Sequence, residues 1–283
     1  MQISEALEYA VDQVSKTLAE DPESGLDVID AQVLLALVLE KTRAYLFAFP
    51  EVPLSHVQQV AFFRLLDRRL AGEPVAYITG CREFWSMELL TNSSTLIPRP
   101  DTECLVELVL NQLGHLDNLE LVDLGTGTGA IALALAKEKT DWKVTGVDLS
   151  EDAVKLAQQN GKIHQLNVDF IQGNWLDQFN SQQFDVIVSN PPYIDVLDPH
   201  LKQGDVRFEP STALVAENHG FEDFSKIIQE SKRCLKPEGW LFLEHGYDQQ
   251  TQLLTLLTAH GFSQIEGYKD YSGHDRNVRA QWV

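Results

Sequence analysis

The chain has 283 residues, 44% hydrophobic and 23% charged, which is enough apolar material for one or two ordinary globular cores without disulfide staples. Its 42 Asp+Glu against 22 Lys+Arg give a formal net charge of −20, which disfavours a nucleic-acid backbone as the main partner. The 3 cysteines (Cys81, Cys104 and Cys234) are far apart and odd in number, so neither a disulfide framework nor a CxxC metal pair is expected; no apolar run reaches the roughly 20 residues of a membrane span, and acids stand where a signal peptide carries bases. Reduced thiols and a cytoplasmic location follow as expectations.

Residues 1 to about 75 carry helical periodicity alone. Ile3, Leu7, Ala10, Val11, Val14 and Leu18 share one helix face, with Ser4 as a candidate cap and Asp21-Pro-Glu-Ser-Gly25 as the breaker. Further helices are expected over about 27–40 and 55–71. This lobe holds 12 acids and 6 Lys+Arg, and the spacing predicts a small helical bundle that packs or docks. The texture then turns β-prone at Val75-Ala-Tyr-Ile-Thr79 and Trp85-Ser-Met-Glu-Leu89, which predicts a β-hairpin linker over 76–100. Two prolines stiffen Ile97-Pro-Arg-Pro-Asp-Thr-Glu103, and Asp101 or Thr102 can cap the next helix.

From about 119 onward strands alternate with helices, which predicts an α/β catalytic domain over 101–283 built on a mostly parallel sheet. Ligands in such sheets sit beyond the carboxyl ends of the strands, at the switch point. The first strand runs into Asp123-Leu-Gly125-Thr126-Gly127-Thr128-Gly129 before a helix. The glycine spacing fits neither a dinucleotide fingerprint nor a P-loop. It suits a nucleoside ligand without phosphates, its amino-acid end over the turn, with Asp123 placed to meet a cationic amino group directly or through water. Asp148, at the end of the second strand, suits two ribose hydroxyls. Asn174 and Trp175, past the third, could read an adenine edge and cover its face.

The sharpest feature is Asn190-Pro191-Pro192-Tyr193, directly after the apolar strand Phe184 to Ser189. Two prolines fix φ and remove two backbone donors, so the segment is rich in acceptors. The Asn190 side-chain oxygen and one free carbonyl, that of Pro191, match the two hydrogens of an NH₂ group, and Tyr193 supplies a wall or a hydroxyl. Holding both N–H bonds aims the lone pair of a conjugated nitrogen at an already activated sulfonium methyl, so alignment and fixed dipoles carry the rate and no strong base is required. No metal-ligand cluster or nucleophile elbow appears.

Over essentially the whole chain these segments, with Asp205-Val-Arg-Phe-Glu-Pro210, Ala213-Leu-Val215 and Leu243-Glu-His-Gly246, resemble the PrmC/HemK family of release factor glutamine methyltransferases. The resemblance implies a Rossmann-like S-adenosylmethionine-dependent methyltransferase domain with a seven-stranded, mostly parallel sheet, preceded by the helical bundle and hairpin. It implies methyl transfer to the side-chain amide nitrogen of the glutamine in the GGQ loop of class-I peptide chain release factors, with modulation of translation termination. Carried over by position, Asp123, Gly125, Thr126, Gly127, Thr128, Gly129, Asp148, Asn174, Trp175 and Asn190 bind S-adenosyl-L-methionine. Asn190, Pro191, Pro192 and Tyr193 hold the glutamine and are catalytic, and the N-terminal lobe and hairpin help dock the release factor. Many relatives carry an acid where this chain has Asn174. Arg99, Glu103, Arg207 and Glu209 match family segments and read as structural, and nothing demands His245 as a base. The alternatives are an adenine-N6 DNA or RNA methyltransferase, which shares the NPPY logic but needs a basic track, a non-catalytic cofactor-binding adaptor, and a nicotinamide dehydrogenase.

Overall fold

The computed structural model describes residues 1–283 with the exception of the His219 side chain. The chain forms two compact units, Met1–Cys81 with Pro199–Phe208, and Arg82–Asp198 with Glu209–Val283. A division by linear order into 1–75, 76–100 and 101–283 has no place for the return of Pro199–Phe208 to the first unit.

The first unit holds α1 (Ile3–Glu20), α2 (Val28–Leu39), α3 (Arg43–Ala48), α4 (His56–Leu70) and α5 (Val75–Thr79). Ile3, Ala6, Ala10 and Val14 of α1 pack with Leu34 and Leu35 of α2 and with Phe62 and Leu66 of α4. Gln2 and Glu5 close a capping box at the start of α1, so Ser4 lies inside the helix and does not cap it. Val75–Thr79 is a helical turn, contrary to its β-prone composition. Pro74 opens it, Gly80 at φ 79° ends it, and Ile78 joins the helical core. Burial decides the state of five such residues more than propensity does.

Arg69 explains why Pro199–Phe208 belongs to this unit. Its side chain is almost fully buried, with Nε 2.6 Å from Asp30 Oδ2 and Nη1 3.0 Å from Asp205 Oδ1. It also donates to the Gly25 carbonyl, and at 3.1 Å to the Glu73 carbonyl. Gly204 N donates to the Glu23 carbonyl at 2.9 Å.

The second unit takes in most of the hairpin β1 (Cys81–Phe84) and β2 (Met87–Leu90). Trp85 and Ser86 turn it at φ 52° and 54°, the handedness that tight hairpins require. There follow α6 (Pro100–Leu113), β3 (Glu120–Leu124), α7 (Ala130–Glu138), β4 (Lys143–Asp148), α8 (Glu151–Ile163), β5 (Val168–Gln172) and β6 (Phe184–Ser189). The two-residue strands β7 (Ile194–Asp195) and β8 (Val215–Ala216), short α9 (Glu217–Gly220), α10 (Glu222–Cys234), β9 (Leu235–Glu244), α11 (Gln250–Ala259), β10 (Ser263–Lys269) and β11 (Asp275–Gln281) complete it.

Seven strands form one sheet in the order β10-β11-β9-β6-β3-β4-β5. Only β11 runs against its neighbours. One face packs on α6 and α7 through Leu105, Val109, Leu133 and Leu135, and the other on α10 and α11 through Phe224, Ile227, Leu253 and Leu257. Helices leave β3 and β6 towards opposite sides of the strand order, so the crevice at a switch point lies between these two strands. Ser189 Oγ donates to the Leu124 carbonyl at 2.7 Å and ties their carboxyl ends together. Among the described residues no helix is long and apolar enough to cross a membrane.

Candidate active site

The glycine turn after β3 is built for close approach. Gly125, Gly127 and Gly129 have φ of 72°, 55° and 86°, conformations that a side chain resists. Gly125 is exposed, and a Cβ there would sit 3.6 Å from the Trp175 ring and 3.9 Å from the Asn190 carbonyl oxygen, filling the space between them. Gly125 N and Thr126 N both donate to the Val147 carbonyl at 2.9 Å.

Asp123 lies under this turn, fully buried. Its Oδ2 accepts from Thr126 Oγ1 at 2.6 Å and Ala132 N at 3.3 Å, while Oδ1 is buried with no partner. Burial pushes its carboxyl up to about 7, against the pull of those two hydrogen bonds. A buried carboxylate oxygen without a donor fits a cationic amino group. Asp148 is raised by burial too, although Ser150 N and Gly127 N each donate to it at 2.9 Å. Those bonds pin the turn and occupy one lone pair on each oxygen, leaving a second on each for hydroxyl donors. Asn174 is exposed, and its Nδ2 donates to Asp177 Oδ2 at 3.0 Å, which leaves its carbonyl oxygen outward. Trp175, at φ 47°, packs against the apolar cluster under α10 beside Asp223, with one ring edge on Gly125.

Asn190 follows β6 directly. Its Nδ2 donates to Thr102 Oγ1 at 3.2 Å, so its Oδ1 is the free end of the carboxamide. Pro191 is buried, and within the chain no hydrogen bond reaches its carbonyl among the described residues. The Tyr193 carbonyl is taken by Gln249 Nε2 at 2.9 Å. Gly220 keeps that contact open, since a Cβ there would lie 2.2 Å from the Tyr193 oxygen. The Tyr193 phenol donates to Glu244 Oε1 at 3.4 Å and is held protonated by burial and by that carboxylate.

Comparison with known proteins gives this geometry a lineage. Residues 115–271 match the family model described as "Methyltransferase domain", and residues 9–80 match the "PrmC N-terminal domain". The release factor glutamine methyltransferase of Aliivibrio fischeri is 52% identical over 257 residues, covering 90% of each chain. That of Shewanella oneidensis is 47% identical over 282 residues, 99% of this chain and 96% of that one. The chain belongs to the release factor glutamine methyltransferase family. The fold likeness extends further: a Thermus thermophilus 16S rRNA N2 G1207 methyltransferase, solved with AdoMet and guanosine, superposes with a TM-score of 0.54 at 20% identity, over 72% of this chain and 50% of that one.

In this release factor glutamine methyltransferase family member several residues do work that the sequence does not announce. Thr102 is no cap: Arg99 holds that place, Pro100 opens α6, and the hydroxyl of Thr102 turns to Asn190. Glu244 ends β9 beside Asn190, and burial pushes it up to about 7 against its contacts with Thr102 and Arg276. The signal was the acid closing the apolar run Trp240 to Leu243 next to the switch point. Arg99 pairs with buried Glu209, which also accepts from Ile97 N at 3.2 Å, so both brace the proline-rich segment. Glu103 accepts from Trp85 N at 2.7 Å and fixes the hairpin turn. Arg207 stacks on the Phe208 ring, within the helical unit. His245 is buried; Nδ1 bonds the Gly246 carbonyl at 2.7 Å, Nε2 has no partner, and burial lowers its basicity.

Proposed function

We propose that this chain methylates the side-chain amide nitrogen of the glutamine in the GGQ loop of class-I peptide chain release factors, with S-adenosyl-L-methionine as donor. The reaction places its work in the cytoplasm, with translation termination. The observation that carries the reading is the committed carboxamide of Asn190: Nδ2 is spent on Thr102, and Oδ1 is left as an acceptor beside the open carbonyl of Pro191. Two fixed acceptors fit one NH₂ group with its two donors.

S-adenosylmethionine, when bound, supplies a methyl carbon already activated by a sulfonium charge. The turn Gly125–Gly129 accommodates its amino-acid end, Asp123 Oδ1 answers its ammonium group, and Asp148 has lone pairs for the ribose hydroxyls. Asn174 Oδ1 and the Trp175 ring suit the adenine. Asn190 and Pro191 do the rest by holding the substrate nitrogen. An amide lone pair is delocalised and weakly nucleophilic. With both N–H bonds fixed on oxygens, the lone pair is aimed and the nitrogen is drawn towards a pyramidal shape. Electron density rises on nitrogen as the bonds polarise towards the acceptors. The protonated product is strongly acidic, so no residue has to act as a strong base. Fixed dipoles of this kind lower barriers because they need no reorganisation during the reaction.

The test is to incubate a purified class-I release factor, isolated unmethylated, with this chain and isotopically labelled donor, then map the label by peptide mass spectrometry. Label on the GGQ glutamine is expected. Label only on other residues, or none, would overturn the assignment.

A further inference from the structure

We propose that Thr102 is a positioning residue for Asn190: its hydroxyl accepts one Asn190 Nδ2–H and so turns the Asn190 carbonyl oxygen towards the substrate. The proposal rests on the reading that Asn190 receives the substrate amide.

The geometry is simple. β6 and β9 pair in parallel with Ser189 opposite Leu243, so the next residues, Asn190 and Glu244, leave adjacent strand ends together. The first turn of α6 lies over them and contributes Thr102, which is 5% exposed. Asn190 Nδ2 reaches Thr102 Oγ1 at 3.2 Å, and the buried Glu244 carboxylate stands beside Thr102, its Oε2 without a partner. Tyr193 donates to the same carboxylate from the far end of the Asn-Pro-Pro-Tyr segment.

The direction of each bond follows from the chemistry of the groups. An ionised carboxylate only accepts, so in its charged form Glu244 draws the hydrogen of the neighbouring Thr102 hydroxyl to its own side. The hydroxyl lone pairs then face Asn190, and only the NH₂ end of that carboxamide can meet them. The two ends of a carboxamide are nearly the same size, so packing alone does not choose between them. Without the Thr102 oxygen, Asn190 is free to turn its NH₂ to the crevice. It would then meet the substrate NH₂ donor to donor, and the cradle would lose one of its two acceptors.

The polarity of the chain depends on the charge of Glu244. Protonated, Glu244 can donate to Thr102, whose own hydrogen is then free to point at Asn190. The charged and titratable groups facing Glu244 are Arg276 on β11, Asp101 on α6 and Tyr193 after β6. Arg276 favours the ionised form, and burial, which leads, and Asp101 oppose it.

The experiment compares wild type, Thr102→Val and Thr102→Ser, using a GGQ-containing release factor at saturating labelled cofactor. Valine keeps the shape and removes the hydroxyl; serine keeps the hydroxyl. The expected result is a fall in kcat on the order of tenfold or more for Thr102→Val. Cofactor affinity by calorimetry and the thermal midpoint should stay close to wild type, and Thr102→Ser should restore most of the loss. A second readout needs no turnover: the Asn190 side-chain amide protons in the nitrogen-15 spectrum of the free chain. Wild type and Thr102→Ser should show one retarded proton, and Thr102→Val none. Equal kcat in wild type and Thr102→Val, or undiminished amide protection in Thr102→Val, overturns the proposal. If wild type transfers no label to the glutamine, the proposed reaction is wrong, and amide protection still decides whether Thr102 sets Asn190.

Discussion

In the proposed reaction Asn190 acts through the end of its carboxamide that is not spent. With Nδ2 on Thr102, the remaining oxygen is an acceptor whose direction is set before the substrate arrives. Asn190→Ala should therefore lower kcat by roughly 10²-fold and weaken cofactor affinity by much less, as single-turnover rates and calorimetry would show; a near-wild-type rate removes Asn190 from the mechanism. Asp148 acts differently, because its two oxygens also pin Gly127 N and Ser150 N. Asp148→Ala should weaken cofactor binding by about tenfold or more and slow the saturated rate by less, and unchanged affinity would refute its ribose role. Asp123 makes a pH prediction. Its carboxyl sits near 3.9 in an unfolded chain and is pushed up to about 7 by burial in the folded one. Between those values the folded chain keeps a proton that the unfolded chain has released. The stability contributed by this group is therefore complete below about pH 4 and is lost as pH rises through about 7. A cation at Oδ1 favours the ionised form, so cofactor affinity should climb as pH rises through about 7 and then level. Calorimetry at several pH values checks this, and Asp123→Asn should flatten the profile.

At the scale of elements, the parts of the fold that could be read in the sequence are those whose burial is nearly complete. β3, β6 and the Trp240–Glu244 part of β9 are buried at nearly every position, and α7 is buried at every position from Ala130 to Ala136. Such segments leave little choice of state or place. Leu133→Ala in α7 should accordingly cost about 3 kcal/mol of unfolding free energy, measurable in urea at constant slope. Short segments set by tertiary contact were not legible. Val75–Thr79 has strand-like composition and becomes a helical turn because Ile78 must enter the helical core. Thr102 follows a proline in the manner of a cap, yet its partners stand at the ends of β6 and β9, distant in sequence. The candidate site divides the same way. Its glycine turn and the Asn-Pro-Pro-Tyr segment are local patterns, legible from neighbouring residues alone. Arg276 is brought in by the sheet order and Gln249 and Gly220 by helix ends, and no spacing announces them; Glu244 has only the weak mark of an acid closing an apolar run.

The molecule as a whole is two units joined by three passages of the chain, at 81–82, 198–199 and 208–209. The last two passages bracket a segment that starts six residues after Tyr193 and returns to the helical unit, where Arg69 holds Asp205 and Asp30. Arg69 and Asp205 are 136 residues apart in sequence, which is why no linear reading places that segment correctly. Removing the arginine leaves Asp30 and Asp205, both partly exposed, without their shared cation, so Arg69→Met should destabilise the helical unit by about 2 kcal/mol. Limited proteolysis should then cut first within 199–208; unchanged melting and cleavage would show the clamp to be dispensable. The proposed chemistry turns on something smaller than either unit: two oxygens, of Asn190 and Pro191, that hold both hydrogens of one substrate amide. It is tested most directly by a crystal structure of the chain with the demethylated cofactor product and a glutamine-containing GGQ peptide. The predicted result is the amide nitrogen within hydrogen-bond distance of Asn190 Oδ1 and the Pro191 carbonyl at once. A glutamine lodged elsewhere, or an Asn190 that presents Nδ2 to it, would contradict the account.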